Sequence, residues 1–394
     1  MPKCTRAPVT ARSFYANRSM VVVMARREHP PEVERLFDEA RTTARGTPPR
    51  KHHLVPASYL RRWEERGRLR VTEIDGRKSY LTAAAQAARE TDFYNLAQDQ
   101  IDPDDIPPLL METMLGRLED PAKLVIDELI DHGRPERVEP RRMLEFVWYL
   151  SMQIVRGAAA REELRVIGAD LARVQLTGIS DEAIARRLRN TGQQVTPAAI
   201  AEHRRFLDDI EHGRVRYLAS DAQLVGLAAS SAEPLCEHLL FRDWHVYTTP
   251  AFLVTGDEPV VLLGGPGHPR GERAGVATAG VILFPLSPTR LLTLFHPDCV
   301  PPRPPFALDH IEVLEVNREI LAAGTRWAFE RPGRRCTVTM PVPPAPKVWC
   351  LRDAGVLEAG GGPDGRVFQF ARPTRWAASP QPAPWPVARW WLPQ

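Results

Sequence analysis

Phe252-Leu253-Val254-Thr255-Gly256-Asp257-Glu258-Pro259-Val260 marks the point where this chain changes period. Its centre, Thr255 to Pro259, has the composition of a turn between two strands, Phe252–Thr255 and Val260–Leu263. Similar short β-branched or aromatic runs, cut by Pro and Gly, stand at Trp244–Thr248, Val281–Pro285 and Leu291–Phe295. Ile311–Ala323 has helical spacing and leads into Trp327–Arg331. Upstream of Trp244 the apolar residues recur every three or four positions instead. Ile106–Glu119 carries Leu110, Met114, Leu115 and Leu118 on one face, and Asp120-Pro121 reads as the N-cap and first residue of a second helix through Asp131. Glu139-Pro140 opens a long helix with Met143, Phe146, Val147, Leu150 and Ile154 as its stripe. Further helices are expected at Asp181–Asn190, Pro197–Glu211 and Arg216–Ser230.

The N-terminal third adds smaller pieces. Arg68–Ile74 alternates as a strand, Asp75-Gly76 is a turn, and Lys78–Thr82 is a hairpin partner. Ala83–Glu90 is expected as a short helix before Asp92-Phe93-Tyr94. The fold class is therefore α+β: a helical body packed on a mainly antiparallel sheet, in a single main domain with irregular tails. Residues 1–48 are expected as an N-terminal extension, partly disordered, with a short helix at Pro31–Arg45. The main domain spans 50–331, divided into 50–100, a helical body over 106–240, and sheet plus closing helix over 243–331. Residues 332–394 form a Pro/Trp-rich tail for which disorder is the first expectation, and docking or a protein partner the others.

Composition narrows the function classes. Lys+Arg 52 nearly cancels Asp+Glu 49, so net charge gives no whole-chain argument for nucleic acid, although a local basic face is compatible with it. Five scattered cysteines without a C-x-x-C spacing suggest neither a zinc ribbon nor a disulfide scaffold. Met20–Ala25 is too short to span a bilayer, which takes about 20 apolar residues. A soluble, cytoplasmic protein is expected. There is no Gly-x-Ser-x-Gly, His-Glu-x-x-His or dinucleotide fingerprint, and Gly264-Gly265-Pro266-Gly267 lacks the Gly-Lys-Ser/Thr ending of a phosphate loop.

Four segments in order carry a family resemblance: His53-Leu54-Val55-Pro56 with Tyr59-Leu60-Arg61; Asp92-Phe93-Tyr94; Gln153 with Arg156; and Phe252–Val260 with Phe284-Pro285-Leu286-Ser287-Pro288. Together they resemble the family called domain of unknown function 4238, with Asn317 at the asparagine of its closing helix. Gly256 stands where that family usually has serine, and Gly157-Ala158 where Thr-Pro often follows the arginine. The resemblance implies a fold unit and candidate positions rather than an activity.

These positions define two readings. In the first, His53, Arg156 and Asp257 are catalytic candidates at a helix–sheet junction, with Gln153, Asn317 and Tyr94 as substrate-binding candidates. His53 would be a base or metal ligand, Arg156 an anion stabiliser, and Asp257 a ligand or orienting acid. A divalent metal held by His53 and Asp257 is the candidate cofactor, and a metal-assisted hydrolase or nuclease-like enzyme acting on a phosphoester or nucleic acid is the matching function. His52-His53-x-Val-Pro also resembles the opening of His-Asn-His nucleases, but the next Asn is Asn95 and the next His is His132. In the second reading the same residues form a buried structural network in a non-catalytic binding module. Arg156 is then an ion-pair tie to Asp257 or Glu119, since an unpaired buried charge is very costly. Glu112 is expected to be solvated and Glu258 exposed.

Overall fold

The computed structural model describes residues 31–391 apart from 46–50, 77, 96–106, 177, 191, 213, 216–220, 300–301, 347–349 and 357–365. The expected disorder of the N-terminal extension thus lies largely outside the described residues. Its short helix does not: α1 (Pro31–Arg45) buries Phe37 and Ala40 in the core. Next come β1 (Lys51–His53), α2 (Ala57–Leu60), β2 (Leu69–Glu73), β3 (Ser79–Thr82) and β4 (Arg89–Thr91). The helical body is α3 (Leu110–His132), α4 (Pro140–Val155), α5 (Ala158–Leu176), α6 (Asp181–Asn190), α7 (Pro197–Glu211) and α8 (Asp221–Leu240). There follow β5 (Asp243–Thr248), β6 (Thr255–Gly256), β7 (Val261–Leu263), β8 (Val281–Ser287), β9 (Arg290–Phe295), α9 (His310–Ala323), β10 (Trp327–Glu330) and α10 (Cys336–Thr339). A hairpin, β11 (Cys350–Val356) and β12 (Arg366–Ala371), precedes the last described residues.

The fold is α+β, and among the described residues every pairing between two of these strands is antiparallel. The central sheet runs β5-β9-β8-β7, and a second sheet runs β3-β2-β10-β6. Period-two alternation gives the central sheet two apolar faces. Ile282, Phe284, Leu286, Leu292 and Leu294 turn to the helical body. Val281, Leu283, Leu291 and Phe295 turn instead to α9 and the C-terminal segment. The result is a helical layer, a sheet and a second cover.

Three expectations are corrected. Asp120-Pro121 does not start a helix, because α3 runs through Pro121. Leu115, Ala122, Val125, Ile126 and Leu129 are buried along the whole helix, and this stripe outweighs the lost bond and local clash of one proline. Ala83–Glu90 is a turn of 3-10 helix and then β4, whose Glu90 pairs with His52. α5, which carries no strong apolar stripe, was not anticipated. The Pro/Trp tail is not irregular throughout: Trp376, Val387 and Trp390 are buried, the last two closing the second core. Gly265 (φ 84) lies in the left-handed region beside Trp391, where a β-carbon would stand 2.4 Å from that ring, so the Gly-rich loop is packed against the C-terminal segment.

Candidate functional site

The His-x-Val-Pro segment works first as a clamp. Pro56 precedes α2, which swings Tyr59 and Trp63 onto the sheet. The Tyr59 hydroxyl donates to the Pro285 carbonyl (2.7 Å) and lies 2.8 Å from Thr255 Oγ1, while Trp63 Nε1 donates to the Leu253 carbonyl (2.9 Å). Two parts of the family resemblance, the opening motif and the strand turn, are thus joined directly.

Arg156 ends α4, whose start is capped by Glu139 accepting from the Arg141 and Arg142 amides. Its guanidinium is buried and each of its three nitrogens is engaged. Nε donates to the Tyr94 hydroxyl (3.1 Å), Nη1 to Glu119 Oε1 (3.1 Å) and Nη2 to the His53 carbonyl (2.6 Å). Glu119, one of the two partners considered from sequence, is the one used. His52 is also interior: its Nδ1 accepts from the Tyr94 amide at 2.8 Å and its ring stacks on Tyr94.

Two neighbours of Arg156 are less well supplied. Gln153, 2% exposed, has no hydrogen-bond partner at either amide atom, and neither has His53 Nδ1. Burial together with the positive charges of Arg89 and Arg156 holds the His53 imidazole at about 4, against a hydrogen bond that the ring donates to the Ala87 carbonyl. It is therefore a neutral base at pH 7. Glu112 is half-buried rather than solvated. Burial pushes its carboxyl up, Arg156 pulls it down, and Glu119 adds a smaller upward push.

Asp257 belongs to a different cluster. One carboxylate oxygen accepts from the Thr325 amide (2.9 Å) and the other from the amides of Arg326 (2.7 Å) and Trp327 (3.1 Å). It thereby ties the turn after β6 to the turn before β10. Burial and then the Glu258 charge push its carboxyl up to about 7, against these three bonds. Glu258 is buried, contrary to expectation, because its Oε1 accepts from the Ala159 amide at the start of α5 (3.0 Å) and from Thr325 Oγ1 (3.3 Å). A β-carbon at Gly157 would stand 2.5 Å from that oxygen, which accounts for glycine there. Asn317 lies elsewhere again. Its Oδ1 accepts from the Val254 amide and its Nδ2 donates to the Phe252 carbonyl, both at 3.0 Å.

His53, Tyr94 and Arg156 are thus brought together, with Gln153 one turn before Arg156 on α4. Asp257 joins Glu258 and the 325–327 turn, and Asn317 holds the chain entering β6. Among the described residues no group of three or more His, Cys, Asp or Glu side chains could hold a metal ion, and His53 and Asp257 belong to separate clusters. Sequence reasoning also missed a third feature, a cleft of about 270 Å³ between β7, the start of α5, the end of α9 and the C-terminal segment. Arg270 lies inside it, paired through both terminal nitrogens to buried Glu319 (3.0 and 2.5 Å) and set over the rings of Trp376 and Trp385. Arg375 fixes the segment that walls it, through a two-pronged pair with Asp75 (2.5 and 2.7 Å). Partners so far apart in the chain leave no local signal.

The family described as protein of unknown function (DUF4238) matches residues 51–334. The chain belongs to this family. No curated protein and no solved structure matches it. The DUF4238 match takes in the Arg156 and Asp257 clusters and Asn317, whereas Trp376 and Trp385 of the cleft lie beyond it. Where the resemblance would place serine, Gly256 has room: its nearest neighbours to an added β-carbon are at 3.6 Å or more.

Proposed function

We propose that this DUF4238 chain is a non-catalytic binding module in which the signature polar residues brace the helical body against the sheets. One observation carries the reading. Every polar terminus of Arg156, Asp257 and Asn317 bonds groups on other segments, largely backbone, and these bonds occupy the atoms that chemistry would need. The ligand site is then the cleft, where Val261, Leu263 and Ala323 supply an apolar floor and Glu258, Thr325 and Arg372 a few polar groups. Such a lining suits a small amphipathic ligand. No helix among the described residues is long and apolar enough to cross a membrane. A cytoplasmic setting is part of the proposal, in keeping with free thiols at Cys236, Cys299 and Cys336. Trp376 and Trp390 are buried in the fold and so are not offered to a protein partner. Replacing Asp257 by Ala tests the brace: it should lower the unfolding midpoint in urea markedly. An Asp257→Ala protein as stable as the parent overturns it.

A second reading, a metal-assisted hydrolase or nuclease-like enzyme acting on a phosphoester or nucleic acid, is favoured by the unpartnered His53 Nδ1 and by the unpartnered Gln153 amide, one turn before Arg156 on α4. It expects cleavage of bis(p-nitrophenyl) phosphate with added magnesium or manganese, lost in His53→Ala. Turnover no faster than the metal-only blank removes it.

A further inference from the structure

The stretch from Ser180 to Glu211 is a small body with an interior of its own. α6 and α7 bury Ile184, Leu188 and Leu207 together, with Ile179, Ala199 and Ile200 at the edge, in a cluster separate from both main cores. Each boundary is specified locally. Ser180 Oγ accepts from the Ala183 amide (3.3 Å) at the start of α6. Past its end, Gly192 is left-handed (φ 71) and the Gln193 amide returns to the Leu188 carbonyl (2.9 Å). Thr196 Oγ1 accepts from the Ala199 amide (3.1 Å) and Pro197 takes the first position of α7. Arg204 then reaches from α7 to Asp181 and to the Ile179 carbonyl (3.2 Å), fixing the start of α6 against the middle of α7.

This packing decides what faces outward. Ala198, Ala201, Glu202 and Arg205 recur at i, i+3, i+4 and i+7 on α7 and are all exposed. Two alanines on that face let the helix approach a surface closely, and Glu202 and Arg205 give it hydrogen-bonding reach. Arg186 and Arg189 are exposed at the end of α6, and Gln193, Gln194 and Thr196 are exposed in the connection. Apart from Glu202, the acidic residues sit at the far ends: Asp181 and Glu182 open α6, while Asp208, Asp209 and Glu211 close α7. Asp181 is tied to Arg204 and Asp209 to Arg214. On the side holding the connection and the outer face of α7, arginine therefore outnumbers carboxylate.

Two short helices packed together across a glycine-containing connection, with the second presenting a small, polar face, resemble the paired helices that helix-turn-helix units use on DNA, here with a longer connection. We propose that α6–α7 is a helix-turn-helix surface for duplex DNA. The first turns of α7 enter the major groove, and Arg186, Arg189 and Arg205 lie against phosphates. This inference is independent of the cleft and of the brace.

The test uses the full chain and a fluorescein-labelled, mixed-sequence duplex of about 30 base pairs, followed by anisotropy from about 50 to 200 mM salt. Binding should weaken steeply with salt. The triple variant Arg186→Glu/Arg189→Glu/Arg205→Glu should lose at least about tenfold in affinity and flatten the log–log salt slope by about 2–3. Ala201→Phe adds bulk without charge to the groove-facing side and should also weaken binding at least about fivefold, with unchanged thermal unfolding. The proposal fails if the parent does not bind the duplex at the lowest salt, if either variant binds as the parent does, or if single-stranded RNA of the same sequence binds more tightly than the duplex.

Discussion

The turn around Asp257 and the end of α4 around Gln153 are both buried, both polar and both part of the DUF4238 signature, yet they are built in opposite ways. Asp257 sits among amides that donate to it, and all three bonds come from one backbone segment, 325–327. Gln153 is as deeply placed and bonds to nothing, while its neighbour Arg156 takes three partners from three distant segments. A carboxylate bonded in this way is a fastener, and its three donors offset part of its cost of burial where it stands. An unsatisfied amide costs about 1–3 kcal/mol with no return from the protein itself. The difference separates residues that hold the fold from residues with capacity to spare.

The largest expected effect comes from breaking the α4 side. Arg156→Ala should destabilise the protein by about 3–5 kcal/mol in urea unfolding, because it strands Glu119, the Tyr94 hydroxyl and the His53 carbonyl together. A loss under about 1 kcal/mol would mean that the arginine does not tie these segments. Gln153→Met should sharpen the contrast, raising stability by about 1 kcal/mol as an unpaired amide is exchanged for an apolar side chain of similar volume. A loss of stability there would show that water or a ligand completes the amide.

The pH dependence should differ in sign between the two regions. His53 has a folded value of about 4 against about 6.5 unfolded, so the unfolded chain binds more protons between those limits. Its contribution to stability is lost as pH falls through that window. Asp257, raised to about 7 from 3.8, binds the proton in the folded state across 3.8 to 7, so its contribution falls as pH rises. Stability curves of His53→Gln and Asp257→Asn should therefore lose slopes of opposite sign against the parent. Equal slopes would place both groups in ordinary surroundings. The smallest expected effect is that of Gly256→Ser, within about 0.5 kcal/mol, since the added β-carbon meets only ordinary contacts.

The helices and strands with a strong period were legible because one face of each is buried. The α4 cap at Glu139-Pro140, the β2–β3 hairpin and the alternation in β8 and β9 all follow from local pattern. Pro121 misled because a local stop signal competes with a long buried stripe. Glu258 misled because a turn carboxylate normally faces water, and nothing near it in sequence announces the α5 amide that draws it in. The site residues were legible as a set through the family resemblance, but their division into separate clusters depends on contacts between segments. The Arg375–Asp75 and Arg270–Glu319 pairs are further cases, since neither partner marks the other.

Val387 and Trp390 complete the second apolar cover of the central sheet, long after its last strand in the chain. A growing polypeptide that has already made β5 through α9 therefore still lacks the ring that packs on Tyr247 and Phe295 until Val387 and Trp390 fold back. A protein cut or fused just before Val387 would keep its strands and present a greasy, adhesive surface.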